Sequence, residues 1–277
     1  PVVFDSGLGC NSLDWENVQS KLPTKSYAYD RAGNGWSDES PLERTSENIV
    51  KELHTLLQKS QITSPYVLVG HSFGGINVML YANTYPNEVA GLVLVDSSHE
   101  EQNERLPKIY EEPTAMSQKL GLFCTYFRIN RVLSRIYSKD IHKALSMFSE
   151  KTQNMYITTL VTNKLIRTVM EANSLFEKSL QQLKSSKNTL HNKPLSVITA
   201  GKSLKGIGLG IREEQAEKIH KVWNELQKDL KTRSTIGKQI VAKKSSHMIP
   251  REDPEIIVQT IKNLLSEIEN NFKKNKE

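Results

Sequence analysis

Short apolar runs rich in β-branched residues recur along the chain, at Val2-Val3-Phe4, Tyr66-Val67-Leu68-Val69, Gly91-Leu92-Val93-Leu94-Val95 and Leu195-Ser196-Val197-Ile198-Thr199-Ala200. None shows the strict apolar–polar alternation of a sheet with one wet face, so they predict strands buried on both sides. Ser26-Tyr27-Ala28-Tyr29 and Gln239-Ile240-Val241-Ala242 predict two weaker strands. Between them the period changes from two to that of a helix. Asn48 to Lys59 places Ile49, Leu53, Leu56 and Leu57 on one face; Gly75 to Tyr85 predicts a helix that stops at Pro86; Glu213 to Leu230 has a polar helical pattern. A closing helix, opened by Asp253 as cap and Pro254 at its first position, carries Ile256, Ile257, Ile261, Leu264, Leu265 and Ile268, and is expected to fray from Asn270 to Glu277. Strand and helix in alternation predict an α/β fold with a mainly parallel, doubly wound sheet.

The alternation breaks once. Residues 101–190 lack short apolar strands and read as several amphipathic helices, which predicts a helical cap inserted into a core made of residues 1–100 and 191–277. Two dense apolar groups sit in this insertion. One runs through Met116, Leu120, Phe123, Tyr126, Phe127, Val132 and Tyr137; the other through Met147, Phe148, Met155, Tyr156, Leu160, Leu165 and Met170. Most of these residues are needed to attach the helices, and the rest are candidates to line a pocket. With 277 residues and 37% hydrophobic content, the chain can bury one large core.

The candidate chemistry starts at Val69-Gly70-His71-Ser72-Phe73-Gly74-Gly75, a G-x-S-x-G turn between a predicted strand and a predicted helix. A turn this sharp strains its central residue and needs small neighbours two positions before and after it, here Gly70 and Gly74. Ser72 is therefore the candidate nucleophile. A serine hydroxyl needs a base, and the base needs a group that orients it. His247, in the loop after Gln239–Ala242, is the candidate base. No carboxylate follows Ala200 directly, because the next residues are Gly201-Lys202-Ser203-Leu204-Lys205-Gly206. Asp96, at the carboxyl end of its apolar strand, faces the same sheet edge as Ser72 and is the candidate acid, with Glu100, Glu213 and Asp229 left as alternatives. For a developing oxyanion, the N–H of Phe73 is one candidate donor, and the glycine-rich turn Asp5-Ser6-Gly7-Leu8-Gly9 offers a second at Leu8.

Phe4-Asp5-Ser6-Gly7-Leu8-Gly9, Tyr29-Asp30-Arg31-Ala32-Gly33-Asn34-Gly35-Trp36-Ser37, the elbow, Leu94-Val95-Asp96 and Ser246-His247 together resemble the α/β-hydrolase superfamily, in matching order and spacing. The similarity runs to about Leu265, apart from the insertion. It implies an α/β-hydrolase fold with a serine nucleophile, a helical lid and a structural role for Asp30 and Arg31. In the haloalkane-dehalogenase branch of that superfamily the acid can follow the strand that ends here at Asp96. Those enzymes use an aspartate nucleophile, so Ser72 speaks for acyl transfer to water instead. The resemblance also implies edge strands before Pro1, and N-terminal sequence, with any signal or anchor in it, is expected to be missing.

Composition narrows the partners. The net charge of +6, from 37 basic and 31 acidic residues, is spread over helical surfaces and has no interleaved aromatics, so no nucleic-acid partner is expected. Membrane association stays open, and no obligatory protein partner is evident. Cys10 and Cys124 make no disulfide framework and fit a reducing compartment. The seven histidines follow no metal-ligand spacing, and neither a metal nor a cofactor is expected. The sequence thus predicts a serine hydrolase acting on a carboxylic ester or similar small acyl compound through Ser72, His247 and Asp96. A protein of another class, one that keeps the pocket for ligand binding or signalling with little or no turnover, is the alternative.

Overall fold

The computed structural model describes residues 1–107, 138–160, 162–186, 190–203 and 213–274. Six parallel strands form one sheet in the order β2-β1-β3-β4-β5-β6. They are β1 (Val2–Asp5), β2 (Ser26–Ala28), β3 (Tyr66–His71), β4 (Val89–Val95), β5 (Leu195–Ala200) and β6 (Lys238–Ala242). Alternate side chains go to opposite faces. Val3, Leu68, Leu92, Leu94 and Val197 pack into one core, while Val2, Phe4, Val67, Val69, Val93 and Val95 pack into the other. Both faces exclude water, which is why the strands read as unbroken apolar runs.

The helices of the described residues are, in chain order, α1 (Glu16–Gln19), α2 (Ser46–Lys59), α3 (Phe73–Thr84), α4 (Gln102–Arg105), α5 (Ser138–Ala144), α6 (Glu150–Leu160), α7 (Asn163–Ser174), α8 (Phe176–Ser185), α9 (Glu213–Leu230), α10 (Ile249–Glu252) and α11 (Pro254–Lys274). On one face, α2, α3 and α8 contribute Ile49, Val50, Leu53, Leu57, Ile76, Leu180 and Leu183. On the other, α11 brings Ile257, Val258, Ile261 and Leu264. The chain steps from β1 out to β2, then crosses back to β3 on the other side of β1. That reversal opens a crevice at the carboxyl ends of β1 and β3, the place where open α/β sheets bind ligands.

Three details differ from the sequence expectation. Leu56 is 41% exposed, and Val50 takes the inward place beside Ile49, Leu53 and Leu57. The helix after the elbow begins at Phe73 rather than Gly75, because the turn is confined to Ser72 itself. The closing helix continues to Lys274 instead of fraying at Asn270. A helix already nucleated by an apolar stripe propagates through polar residues at little cost, and apolar periodicity cannot register that extension. Between β4 and β5 the described elements are the helices α4 to α8; α8, placed by the sequence in the inserted cap, packs Leu180 and Leu183 into the sheet core. The insertion's first apolar group, Met116 to Tyr137, and Cys124 lie outside the described residues. Among the described residues, no helix is long and apolar enough to cross a membrane.

Candidate functional site

Ser72 joins β3 to α3 with φ 53° and ψ −121°, a region that L residues rarely occupy. Two contacts show what holds it there. A Cβ on Gly70 would lie 2.5 Å from the Gly74 carbonyl oxygen, and one on Gly74 would lie 2.3 Å from the Asp5 carbonyl oxygen. Any larger residue at either position would therefore push the elbow off the sheet edge. The turn is tied to the neighbouring strand as well: the Ser72 N–H donates to Val95 O at 3.2 Å, and the Ser98 N–H donates to Ser72 O at 3.0 Å.

His247, five residues beyond the end of β6, reaches back across the sheet edge. Its Nε2 lies 3.0 Å from Ser72 Oγ, and its Nδ1 lies 2.6 Å from Asp96 Oδ2. Asp96 follows β4 directly and is 2% exposed. Its carboxylate is fixed on the other side too, because Oδ1 accepts the Ala200 N–H at 2.9 Å and the Trp223 Nε1–H at 3.0 Å. With Nδ1–H donating to the carboxylate, Nε2 faces the serine as an acceptor, which is the arrangement that removes a hydroxyl proton. The other carboxylates weighed for this place lie elsewhere. Glu100 pairs with Arg233 at 2.5 Å, Asp229 accepts from His99 Nε2 at 2.9 Å, and Glu213 is exposed at the start of α9.

Two residues at the site were not singled out by sequence reasoning. Trp223 belongs to the inward stripe of α9 with Ile219, Leu226 and Leu230, a stripe that reads as simple packing. Its indole ring stands edge-on to the His247 ring, with centroids 6.0 Å apart and planes at 81°. The available signal was its N–H, which must find a partner when taken from water. His71, the variable residue inside the elbow motif, donates from Nε2 to the His247 carbonyl oxygen at 2.8 Å. Burial, reinforced by the nearby His247, pushes the His71 imidazole down to about 3, so it stays neutral and pins the loop that carries His247.

The loop after β1 lies against the elbow. A Cβ on Gly7 would sit 3.4 Å from Ser72 Cβ, so the backbone leading into Leu8 passes directly beside the serine. A cavity of about 10 Å³, enough for one water, opens between Leu8, Phe73, Arg31, Asn34, Ile49 and Val169 of α7. Asp30 serves structure: its carboxylate accepts the Ser12 N–H at 2.8 Å and the Trp36 N–H at 3.1 Å. Cys10 is a neutral thiol, since desolvation and then Asp14 push it up to about 12.

The fold also brings together His99, Glu101 and Asp229, whose spacing in sequence suggested nothing. Both ring nitrogens of His99 are engaged, Nε2 with Asp229 and Nδ1 with the Glu101 N–H at 3.0 Å. Arg105 and Arg233 stand 3.9 and 3.5 Å from the same Asp229 carboxylate. Two guanidinium charges already neutralise the carboxylates that a metal ion would need.

The parallel six-stranded sheet, with a serine turn at its switch point and a histidine–carboxylate pair beside it, has the architecture of the α/β-hydrolase fold. Comparison with known proteins agrees. The model of the α/β-hydrolase-fold family matches residues 1–118. The Bacillus subtilis protein named "Uncharacterized protein YqjL" is 26% identical over 260 residues, covering 92% of this chain and 79% of its own length. An "AB hydrolase superfamily protein" of Gibberella zeae is 24% identical over 284 residues, covering 95% of this chain and 85% of its own. Among solved structures, a thermophilic esterase from Thermogutta terrifontis superposes with a TM-score of 0.61 at 18% identity, covering 97% of this chain and 90% of that one. This chain has the α/β-hydrolase fold.

Proposed function

We propose that the protein is a serine hydrolase that cleaves a carboxylic ester or similar small acyl compound through an acyl-enzyme. The observation that carries this reading is the continuous hydrogen-bonded chain Ser72 Oγ, His247 Nε2, His247 Nδ1, Asp96 Oδ2, at 3.0 and 2.6 Å. In this reading Ser72 Oγ attacks the substrate carbonyl carbon while its proton passes to His247 Nε2. The N–H groups of Phe73 and Leu8 receive the oxyanion. Collapse of the tetrahedral intermediate returns the proton to the leaving alcohol, and water repeats the sequence to release the acid. Asp96 keeps the imidazole in the reactive tautomer and balances its transient charge.

We read the helices that precede α8 within residues 101–190 as the lid, since α8 itself packs Leu180 and Leu183 into the sheet core. Several polar contacts clamp its described part to the core: Lys164 Nζ to Ser37 O at 2.7 Å, Tyr156 Oη to Asp14 Oδ2 at 2.9 Å, and the Arg44 N–H to Glu171 Oε1 at 3.2 Å. The test is a fluorophosphonate label together with a p-nitrophenyl ester series. The expected result is a single labelled site that disappears in Ser72→Ala, with turnover of at least one ester of the series. Labelling that survives Ser72→Ala would refute the nucleophile. A folded protein that neither takes the label nor turns over any ester would instead favour a ligand-binding or signalling role for the same pocket.

A further inference from the structure

The loop that carries Leu8 has no regular secondary structure to hold it, yet its peptide planes are fixed. The Cys10 N–H donates to Gly7 O at 3.2 Å, and the buried guanidinium of Arg31 adds a charged hold. Its Nη1 donates to Ser6 O at 2.5 Å and its Nη2 to Gly7 O at 2.6 Å. Two successive carbonyls are thus turned toward one cation. In a planar trans peptide the N–H points opposite to the C=O, so the N–H groups of Gly7 and Leu8 are turned away from Arg31. Arg31 is itself anchored. It is 6% exposed and pairs with the buried Asp5 carboxylate, whose other oxygen accepts from Tyr29 Oη and Asn77 Nδ2, each at 3.0 Å. The same guanidinium also lies over the Phe73 ring, 5.5 Å from its centroid. One buried cation therefore lies over the Phe73 ring and holds the Gly7 carbonyl, whose peptide carries the Leu8 N–H.

We infer that Arg31 is a positioning residue for the oxyanion site: by holding the Ser6 and Gly7 carbonyls it keeps the Leu8 N–H presented to the substrate oxygen. The inference rests on the serine-hydrolase reading above. A free loop could rotate the Gly7–Leu8 peptide and aim a carbonyl where a donor is needed, which would repel the developing negative charge. Asp5 contributes in turn, because its carboxylate fixes the guanidinium against two carbonyls that carry only partial charge. Burial alone would lower the Arg31 pKa, but Asp5 and Tyr29 raise it, so the group remains a cation.

The test uses the full chain with Arg31→Lys, which keeps a charge opposite Asp5 but cannot span both carbonyls, and Arg31→Met, which removes the charge. Removal of one oxyanion donor typically costs about 10²–10³ in kcat. For p-nitrophenyl acetate, Arg31→Lys is expected to lower kcat by about 10² with KM within about threefold, and Arg31→Met to lower it further. Affinity for a trifluoromethyl ketone, which forms the tetrahedral adduct, should fall in proportion to kcat/KM, while affinity for an uncharged alcohol such as benzyl alcohol stays the same. A residue that only supports the fold would not separate these two ligands. Arg31→Met leaves Asp5 buried without its partner and can cost the fold, so thermal unfolding decides whether it is used, and Arg31→Lys carries the comparison. A folded Arg31→Lys with wild-type kcat, or with equal losses for ketone and alcohol, would overturn the assignment of Arg31 while the serine reading stands. A wild type that takes no fluorophosphonate and turns over no ester would overturn the serine reading, and the oxyanion role with it, before any variant is compared.

Discussion

Asp96→Asn changes one acceptor oxygen into an amide NH₂ at the position that faces His247. Which end of the amide faces the ring is decided by the surroundings. Oδ1 already receives two donors, the Ala200 N–H and the Trp223 Nε1–H, so the asparagine oxygen must stay there. The NH₂ then takes the place of Oδ2, 2.6 Å from His247 Nδ1, where it can only donate. His247 must accept at Nδ1 and carry its proton on Nε2, the nitrogen 3.0 Å from Ser72 Oγ. The base then has no lone pair to offer. In addition, the imidazolium formed during attack has no carboxylate to balance it. Loss of tautomer and charge balance together is expected to lower kcat by about 10⁴, or about 5.5 kcal/mol at 1.36 kcal/mol per decade. The fold should persist, because the substitution is isosteric and keeps both Oδ1 bonds. Initial rates on p-nitrophenyl acetate, with a thermal unfolding curve for each variant, measure this. Glu100→Gln and Asp229→Asn should leave kcat within a few-fold, since those carboxylates face Arg233 and His99. A folded Asp96→Asn enzyme turning over near the wild-type rate would refute the reasoning and remove Asp96 from the mechanism.

Ser72→Ala and His247→Ala are each expected to lower kcat by about 10⁶, and the double variant to lose little more, because the two act as one unit; multiplicative losses in the double variant would contradict this. Trp223→Phe keeps the ring edge against His247 but deletes the hydrogen bond to Asp96, worth about 1.5–3 kcal/mol when the acceptor is charged, so kcat should fall by about 10-fold to 100-fold with KM unchanged. Gly70→Ala should destabilise the protein or abolish soluble expression, since the new Cβ meets backbone at 2.5 Å rather than a movable side chain. His71 predicts a pH dependence of stability. Its folded pKa, at about 3, lies below the unfolded value near 6.5, so between those values the unfolded chain binds a proton that the folded one refuses. Stability from this group is complete above about pH 6.5 and declines by about 1.4 kcal/mol per pH unit as pH falls toward about 3. Urea unfolding at several pH values, compared with a folded His71→Asn variant, should show a shallower slope in the variant, and equal slopes would contradict the assignment.

The sequence by itself determined the features that depend on neighbours in the chain. Apolar, β-branched runs such as Val67-Leu68-Val69 and Leu92-Val93-Leu94-Val95 read as strands covered on both faces, and the Gly70 and Gly74 spacing around Ser72 follows from the steric limits of one turn. The chain order of Ser72, Asp96 and His247 was legible for the same reason. Side-chain partners were not, because they are set by strand register and helix docking between residues far apart in sequence. Asp96, Glu100, Glu213 and Asp229 were all open as partners of His247 in the sequence. Only the docking of α9 and the turn after it against the chain that follows β4 gave Glu100 to Arg233, Asp229 to His99 and the Trp223 N–H to Asp96, leaving one oxygen of Asp96 for His247. Arg31 likewise reads in sequence as half of a charged turn, and its grip on the Ser6 and Gly7 carbonyls exists only because β2 is paired with β1. Periodicity records which face of an element avoids water; hydrogen bonds and ion pairs at the site depend on how those faces meet, and that is decided by the tertiary structure.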